Sequence, residues 1–220
     1  MEGEKSMKTT SQIKEWDSIF GKEYTDRNLR GAEGTDEWSN AQFGITRTKM
    51  NNEFLGTMDR SMAILEVGAN IGNQLGLLQK MGFGNLTGLE LQSYAIEIGG
   101  EQYADIKFIK GSVLDIPFPD NSFDLVFSSF FLIHISPEDL KSAMKQIYRC
   151  ARKYIWGFEY YNENLVEIPY RDKINMMWKA DYATIYQDYF PDLNMIKKEN
   201  YMYLGNDNND CMFLLRKSNG

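Results

Sequence analysis

The stretch Ile64-Leu65-Glu66-Val67-Gly68-Ala69-Asn70-Ile71-Gly72 joins an apolar run to helical spacing through a glycine turn, with a carboxylate just before it. Backbone at such a turn can pass close to a ligand. Gly68 and Gly72 allow that approach and any positive φ, and Asn70 is among the non-glycine residues that best tolerate the left-handed region. The same residues also make a strand-to-helix turn that binds nothing. Glu90, followed by Leu91, narrows the choice. It closes the next apolar run about twenty residues after the loop, where a carboxylate can accept both ribose hydroxyls of an adenosine. The turn lacks the Gly-x-Gly-x-x-Gly spacing that admits a pyrophosphate, so a dinucleotide ranks behind a simpler nucleoside. In Gly111-Ser112-Val113-Leu114-Asp115, the carboxylate and neighbouring amides can bond an adenine edge, or Asp115 can simply cap a loop.

These residues need a scaffold of alternating elements. Met62–Val67 reads as a strand, and Leu75, Leu78 and Met81 as the helix after it. Leu86–Glu90 predicts a second strand, 94–102 a helix, Ile106–Ile109 a third strand and Phe123–Ser129 a fourth. Ser136-Pro137-Glu138-Asp139 has the cap, first-turn proline and acidic residues of a helix start, and that helix runs to about Arg149. Tyr154–Phe158 gives a fifth strand. Ile174, Met177, Trp178, Ile185, Tyr186 and Tyr189 recur at helical spacing, and two closing runs, 194–204 and 211–216, predict an antiparallel hairpin at a sheet edge. The expected class is α/β, Rossmann-like: a mostly parallel seven-stranded sheet with helices on both faces. Gly31–Asn40 reads as a flexible connector. Residues 1–60 are expected to form an N-terminal helical or lid segment on a core of 61–220, one domain overall.

Composition limits the partners. A net charge of −7 over 220 residues disfavours nucleic acid, because binders of phosphate backbones usually carry a basic footprint. The longest apolar run, 125–135, is broken by serines and a histidine and is too short for a membrane span. Residues 1–15 lack a signal-peptide pattern. A cytoplasmic protein follows, with Cys150 and Cys211 as buried structural thiols.

From the glycine loop through Asp115 to Phe123-Asp124-Leu125-Val126-Phe127-Ser128-Ser129, the chain resembles the class I S-adenosylmethionine-dependent methyltransferases. The resemblance implies that Glu66, Gly68, Ala69, Asn70 and Gly72 hold the amino-acid part of that cofactor. It places Glu90 at the ribose and Ser112, Val113, Leu114 and Asp115 at adenine, with Leu91 also a cofactor-binding residue, while Ser128, Ser129 and Phe130 border the methyl group. The flanks Phe20–Asn28, Gly157–Tyr161 and Val166–Arg171 look like the methylases associated with pseudaminic acid biosynthesis. The implied acceptor is a small molecule, such as a sugar or nucleotide-linked sugar.

Methyl transfer from a sulfonium needs alignment and exclusion of water more than a covalent nucleophile. His134, the sole histidine, can act as a base or be a hydrogen-bonded structural residue. Tyr24, Asp26, Arg27 and Asn28 form a polar cluster able to fold over a cofactor, with Tyr24 a catalytic and Arg27 a substrate-side candidate. Charge clusters also commonly just face water. Glu159, Tyr160 and Tyr161 follow the fifth strand at the edge where open α/β sheets bind ligands, or pack beneath a Trp178 helix. No carboxylate or His/Cys cluster marks a metal site, so a metal-independent reaction is expected. Two other readings remain: a non-catalytic cofactor-binding regulatory module and an NAD-dependent oxidoreductase.

Overall fold

The computed structural model describes residues 10–218. The leader expectation for residues 1–15 therefore falls largely on residues 1–9, outside the described residues. Four helices come first: α1 (Ser11–Trp16), α2 (Ile19–Arg27), α3 (Gly31–Phe43) and α4 (Arg47–Leu55). The alternating core then runs β1 (Ala63–Val67), α5 (Asn73–Lys80), β2 (Asn85–Glu90), α6 (Ser93–Gln102), β3 (Lys107–Lys110), β4 (Phe123–Ser129), α7 (Pro137–Cys150) and β5 (Ala151–Tyr160). It finishes with β6 (Val166–Glu167), β7 (Trp178–Lys179), α8 (Tyr182–Tyr189), β8 (Leu193–Met202) and β9 (Asn209–Lys217).

The seven-stranded sheet has the order β3-β2-β1-β4-β5-β9-β8. Its first five strands are parallel, and β9 runs antiparallel to both neighbours. The strand order reverses between β1 and β4, which opens a crevice above their carboxyl ends. Alternating side chains fill both faces. Val126, Ile155 and Phe213 pack with α7 and α8, while Leu125, Phe127, Trp156 and Leu214 pack with α4 and α5. In α7, Leu140, Ala143, Met144 and Ile147 recur every three or four residues on the buried face.

Two local expectations fail. Gly31–Asn40 is helical rather than a connector. Gly31, at φ +65°, takes a left-handed conformation at the start of α3 that glycine adopts freely, Gly34 costs about 1 kcal/mol in helix propensity, and the burial of Ala32, Ser39 and Phe43 offsets it. The stretch 174–178 is not helical. Ile174 is exposed, and Trp178 instead pairs with Glu167 in the small β6–β7 ladder. Phe43, Met50, Phe54 and Leu55 of the N-terminal helices belong to the same core as Ile64 and Leu75.

Candidate functional site

A cavity of about 410 Å³ opens over the carboxyl ends of β1, β2 and β4. Its floor is the turn after β1. Gly68 (φ +67°) and Asn70 (φ +49°) occupy the left-handed region that the sequence led us to expect. A Cβ on Gly68 would lie 1.9 Å from the Phe131 ring, so a side chain is excluded there on two grounds. Gly68, Ala69 and Asn70 line the cavity, but Gly72 does not. Its φ of +80° and a virtual Cβ 2.6 Å from Phe108 make Gly72 the place where α5 meets β3 closely.

Glu90 stands at the end of β2, buried on the cavity wall. Its Oε2 accepts the Asn70 N–H at 2.8 Å, and its Oε1 accepts Leu91 N–H at 2.7 Å and Gln92 N–H at 2.9 Å. A carboxylate has about four acceptor sites, so roughly one stays open toward the cavity. Burial holds its pKa above the ordinary carboxylate range against the pull of these bonds. Glu66, in β1, is buried more deeply, and burial raises its pKa well above the usual value. Its Oε2 has no hydrogen-bond partner among the described residues.

Sequence reasoning missed Arg47. It lies on the buried stripe of α4 with Met50 and Phe54, fully inside the protein and on the cavity wall. Its Nη2 donates to Ser129 Oγ at 2.7 Å and its Nε to Asn51 Oδ1 at 3.3 Å, and its guanidinium lies 3.9 Å from the Phe158 ring centroid. Burial lowers its pKa to about 10. A buried guanidinium with no carboxylate bonded to it is costly unless an anion arrives. The signal was available: a charge at helical spacing from two apolar residues. Asn73 Oδ1 and Gln74 Oε1, also on the wall, are likewise buried without partners.

The third wall is Gly111, Ser112, Val113 and Leu114. Asp115 is exposed and outside the cavity, so the expected adenine-side carboxylate is not there; the loop turns it outward by bridging Ser112 to Asp115. After β4, Ser129 and Phe130 line the cavity, with Phe130 in the left-handed region at φ +52°. Ser128 points the other way, donating to Glu159 Oε1 at 2.7 Å. Glu159 is therefore not a cavity residue. Its carboxylate also accepts Phe131 N–H at 3.0 Å and Leu132 N–H at 3.2 Å, pinning the turn that carries Phe130 and the 3₁₀ segment Leu132–His134. Burial pushes its pKa up to about 7.

Of the other expected site residues, Tyr24, Arg27, His134 and Tyr160 line the cavity with Leu91. Tyr161 does not; its ring sits under Lys198. His134 Nδ1 is 3.0 Å from the Met176 carbonyl, which can only accept, so Nδ1 carries the proton. Burial lowers its pKa to about 4, keeping the ring neutral at neutral pH. Trp16 packs edge-on against it at 4.6 Å, and Tyr24 and Tyr170 complete the cluster. Burial raises the Tyr24 hydroxyl pKa, so it stays a neutral phenol. Among the described residues no group of three or more His, Cys, Asp or Glu is placed to hold a metal, and no helix is long and apolar enough to cross a membrane.

These residues fit S-adenosylmethionine. Its ammonium matches the unpartnered acceptors of Glu66, Asn73 and Gln74, and its carboxylate matches Arg47. Residues 65–154 match the family described as a methyltransferase domain. A sterol 24-C-methyltransferase of Aspergillus fumigatus is 33% identical over 98 residues, covering 41% of this chain and 25% of that protein. A demethylmenaquinone methyltransferase of a Geobacillus species is 30% identical over 131 residues, covering 57% of this chain and 49% of that protein. The chain thus spans a quarter to a half of these relatives' lengths. Among solved structures, the 1,6-didemethyltoxoflavin-N1-methyltransferase of Burkholderia thailandensis, bound to its ligand and S-adenosylhomocysteine, superposes with a TM-score of 0.63 at 11% identity. That superposition covers 91% of this chain and 89% of the other. This chain therefore has the Rossmann-like fold of the S-adenosylmethionine-dependent methyltransferases, and its residues 65–154 match their methyltransferase domain.

Proposed function

We propose that this chain is an enzyme that binds S-adenosylmethionine and transfers its methyl group to a small molecule without a metal. The observation that carries the reading is the cavity lining, where Glu66 Oε2 lacks a donor and the buried Arg47 guanidinium bonds only Asn51 and Ser129 and no carboxylate. An amino-acid zwitterion satisfies both. Glu66, Asn73, Gln74 and Arg47 would hold that end of the cofactor, Glu90 the ribose, and Leu91 with the Ser112–Leu114 backbone the adenine. When bound, the cofactor supplies an electrophilic methyl group. Ser129 and Phe130 would border it, and Tyr24, Arg27 and Tyr160 would orient the acceptor. His134, neutral and tethered to Met176, offers Nε2 as a hydrogen-bond acceptor and is a weak base.

For the acceptor, a sugar or nucleotide-linked sugar is the reading we favour. It rests on the resemblance of Phe20–Asn28 and Gly157–Tyr161 to the pseudaminic acid-associated methylases, and on the aromatic walls of Tyr24, Trp38 and Tyr160. The test incubates the full chain with methyl-labelled S-adenosylmethionine and a cellular small-molecule fraction, with sugar nucleotides in parallel, and follows the label by mass spectrometry. A labelled low-mass product is expected, undiminished by EDTA. Binding of S-adenosylhomocysteine in a calorimeter without any transfer would favour a non-catalytic module, and binding of NAD instead would favour an oxidoreductase.

A further inference from the structure

In the segment Phe20–Asn28, Tyr24 and Arg27 line the cavity, whereas Thr25 is fully buried and does not. Its hydroxyl sits between two loops of the cavity. Thr25 Oγ1 accepts from Asn70 Nδ2, in the turn after β1, at 2.8 Å and donates to Gln92 Oε1, in the turn after β2, at 3.4 Å. The backbone N–H groups of the same two residues both bond the Glu90 carboxylate, Asn70 at 2.8 Å and Gln92 at 2.9 Å. These bonds close a ring that runs from Glu90 through Asn70, Thr25 and Gln92 back to Glu90. One member belongs to α2, and the other three belong to the end of β2 and the turns after β1 and β2.

Gln92 extends the ring to the acceptor side. Its Nε2 donates to the Trp16 carbonyl at 2.5 Å and to the Ser18 carbonyl at 3.3 Å, at the corner between α1 and α2. Gly21 lies against that amide. A Cβ on it would be 2.0 Å from the Trp16 carbonyl oxygen and 2.3 Å from Gln92 Nε2, so glycine is what lets α2 come this close. The same corner carries the Trp16 and Tyr24 rings that meet His134.

We propose that Thr25 and Gln92 are positioning residues that couple the ribose site at Glu90 to α2, so that binding of the cofactor docks the acceptor wall. The inference rests on the cofactor reading above. A ribose bonded to Glu90 fixes the carboxylate in the orientation that accepts both the Asn70 and the Gln92 N–H. That orientation keeps the two side chains within reach of Thr25, and α2 in turn holds Trp16 and Tyr24 on the acceptor side. Linkage makes the effect reciprocal: a docked α2 raises the affinity for the cofactor. The ring is buried, so losing the hydroxyl strands the polar groups of Asn70 and Gln92. A second tie, from the Tyr94 hydroxyl to Asp26 Oδ1 at 2.7 Å, is exposed and lies outside the ring, so it holds α2 without reaching Glu90.

The test uses full-length wild type, Thr25→Val, Thr25→Ser and Tyr94→Phe, with S-adenosylhomocysteine as the probe. Calorimetry should show binding to Thr25→Val weakened by about three- to tenfold, although Thr25 lines no part of the cavity, and binding to Thr25→Ser close to wild type. Hydrogen exchange followed by mass spectrometry should show the amides of residues 19–27 slowed by about tenfold when wild type is saturated with S-adenosylhomocysteine. Thr25→Val at saturation should lose that protection, and Tyr94→Phe should keep it. A hydroxyl that only steadies α2 would, when removed, speed exchange with and without the probe and leave the difference between the two as in wild type. That result, or no slowing by the probe in wild type, would overturn the coupling. Failure of wild type to bind S-adenosylhomocysteine at all would instead overturn the cofactor reading.

Discussion

In the proposed site Glu90 would have two tasks that pull on the same four acceptor sites. Three backbone N–H groups already hold it, so it shapes the Asn70 turn and the start of α6 before any ribose arrives. Removing it should act on both. Glu90→Ala is expected to weaken binding of S-adenosylhomocysteine by about 1.5–3 kcal/mol, the scale of hydrogen bonds to a charged group, as measured by calorimetry. Unchanged affinity would remove Glu90 from the ribose site. In the proposed cofactor site Arg47 and Glu66 are the complementary pair, one buried cation and one buried acceptor that do not bond each other.

At the scale of elements, the turn after β4 is held from the neighbouring strand. Glu159 at the end of β5 gathers Ser128, Phe131 and Leu132 and so sustains Phe130 in its left-handed conformation, a local cost of about 1–3 kcal/mol. The pH dependence follows from its raised pKa. A carboxyl with an ordinary pKa of 4.5 unfolded and about 7 folded binds more protons in the native state between those values. Stability therefore falls as pH rises through that window, by roughly 3 kcal/mol for this group. Urea unfolding on either side of the window should show the loss in wild type and a smaller one in Glu159→Gln. An equal slope in both would mean that Glu159 is ionised throughout.

For the whole molecule, the cavity is roofed by a helix too short to stand alone. α1 has six residues, none buried, and a helix of that length needs tertiary contacts. Gln12 accepts the Ser136 N–H at 3.2 Å, Glu15 pairs with Lys173 at 2.8 Å, and Trp16 meets His134 and Tyr170. These contacts tie the N-terminal helices to the far side of the opening. Trp16→Ala should speed dissociation of S-adenosylhomocysteine in stopped flow by about tenfold, the equivalent of roughly 1.4 kcal/mol of aromatic contact, while leaving the unfolding of the core nearly unchanged. An unaltered off-rate would show that α1 does not gate the cavity.

The sequence by itself determined the alternation of strands and helices, the left-handed Gly68 and Asn70, the position of Glu90 and the closing antiparallel hairpin. Local periodicity and backbone sterics are written in neighbouring residues. Only the tertiary structure decided which side chains face the cavity. Asp115, Ser128, Glu159 and Tyr161 belong to the right loops and strand ends yet turn elsewhere, because one residue of register or one bridge in a loop reverses a side chain's direction. Arg47 lies far from the signature residues in the chain and reaches the cavity through packing between elements, which no local pattern encodes. Likewise, α3 is a helix because Ala32 and Phe43 find a core to join, and Ile174 leaves the helical pattern because its segment finds a strand partner instead.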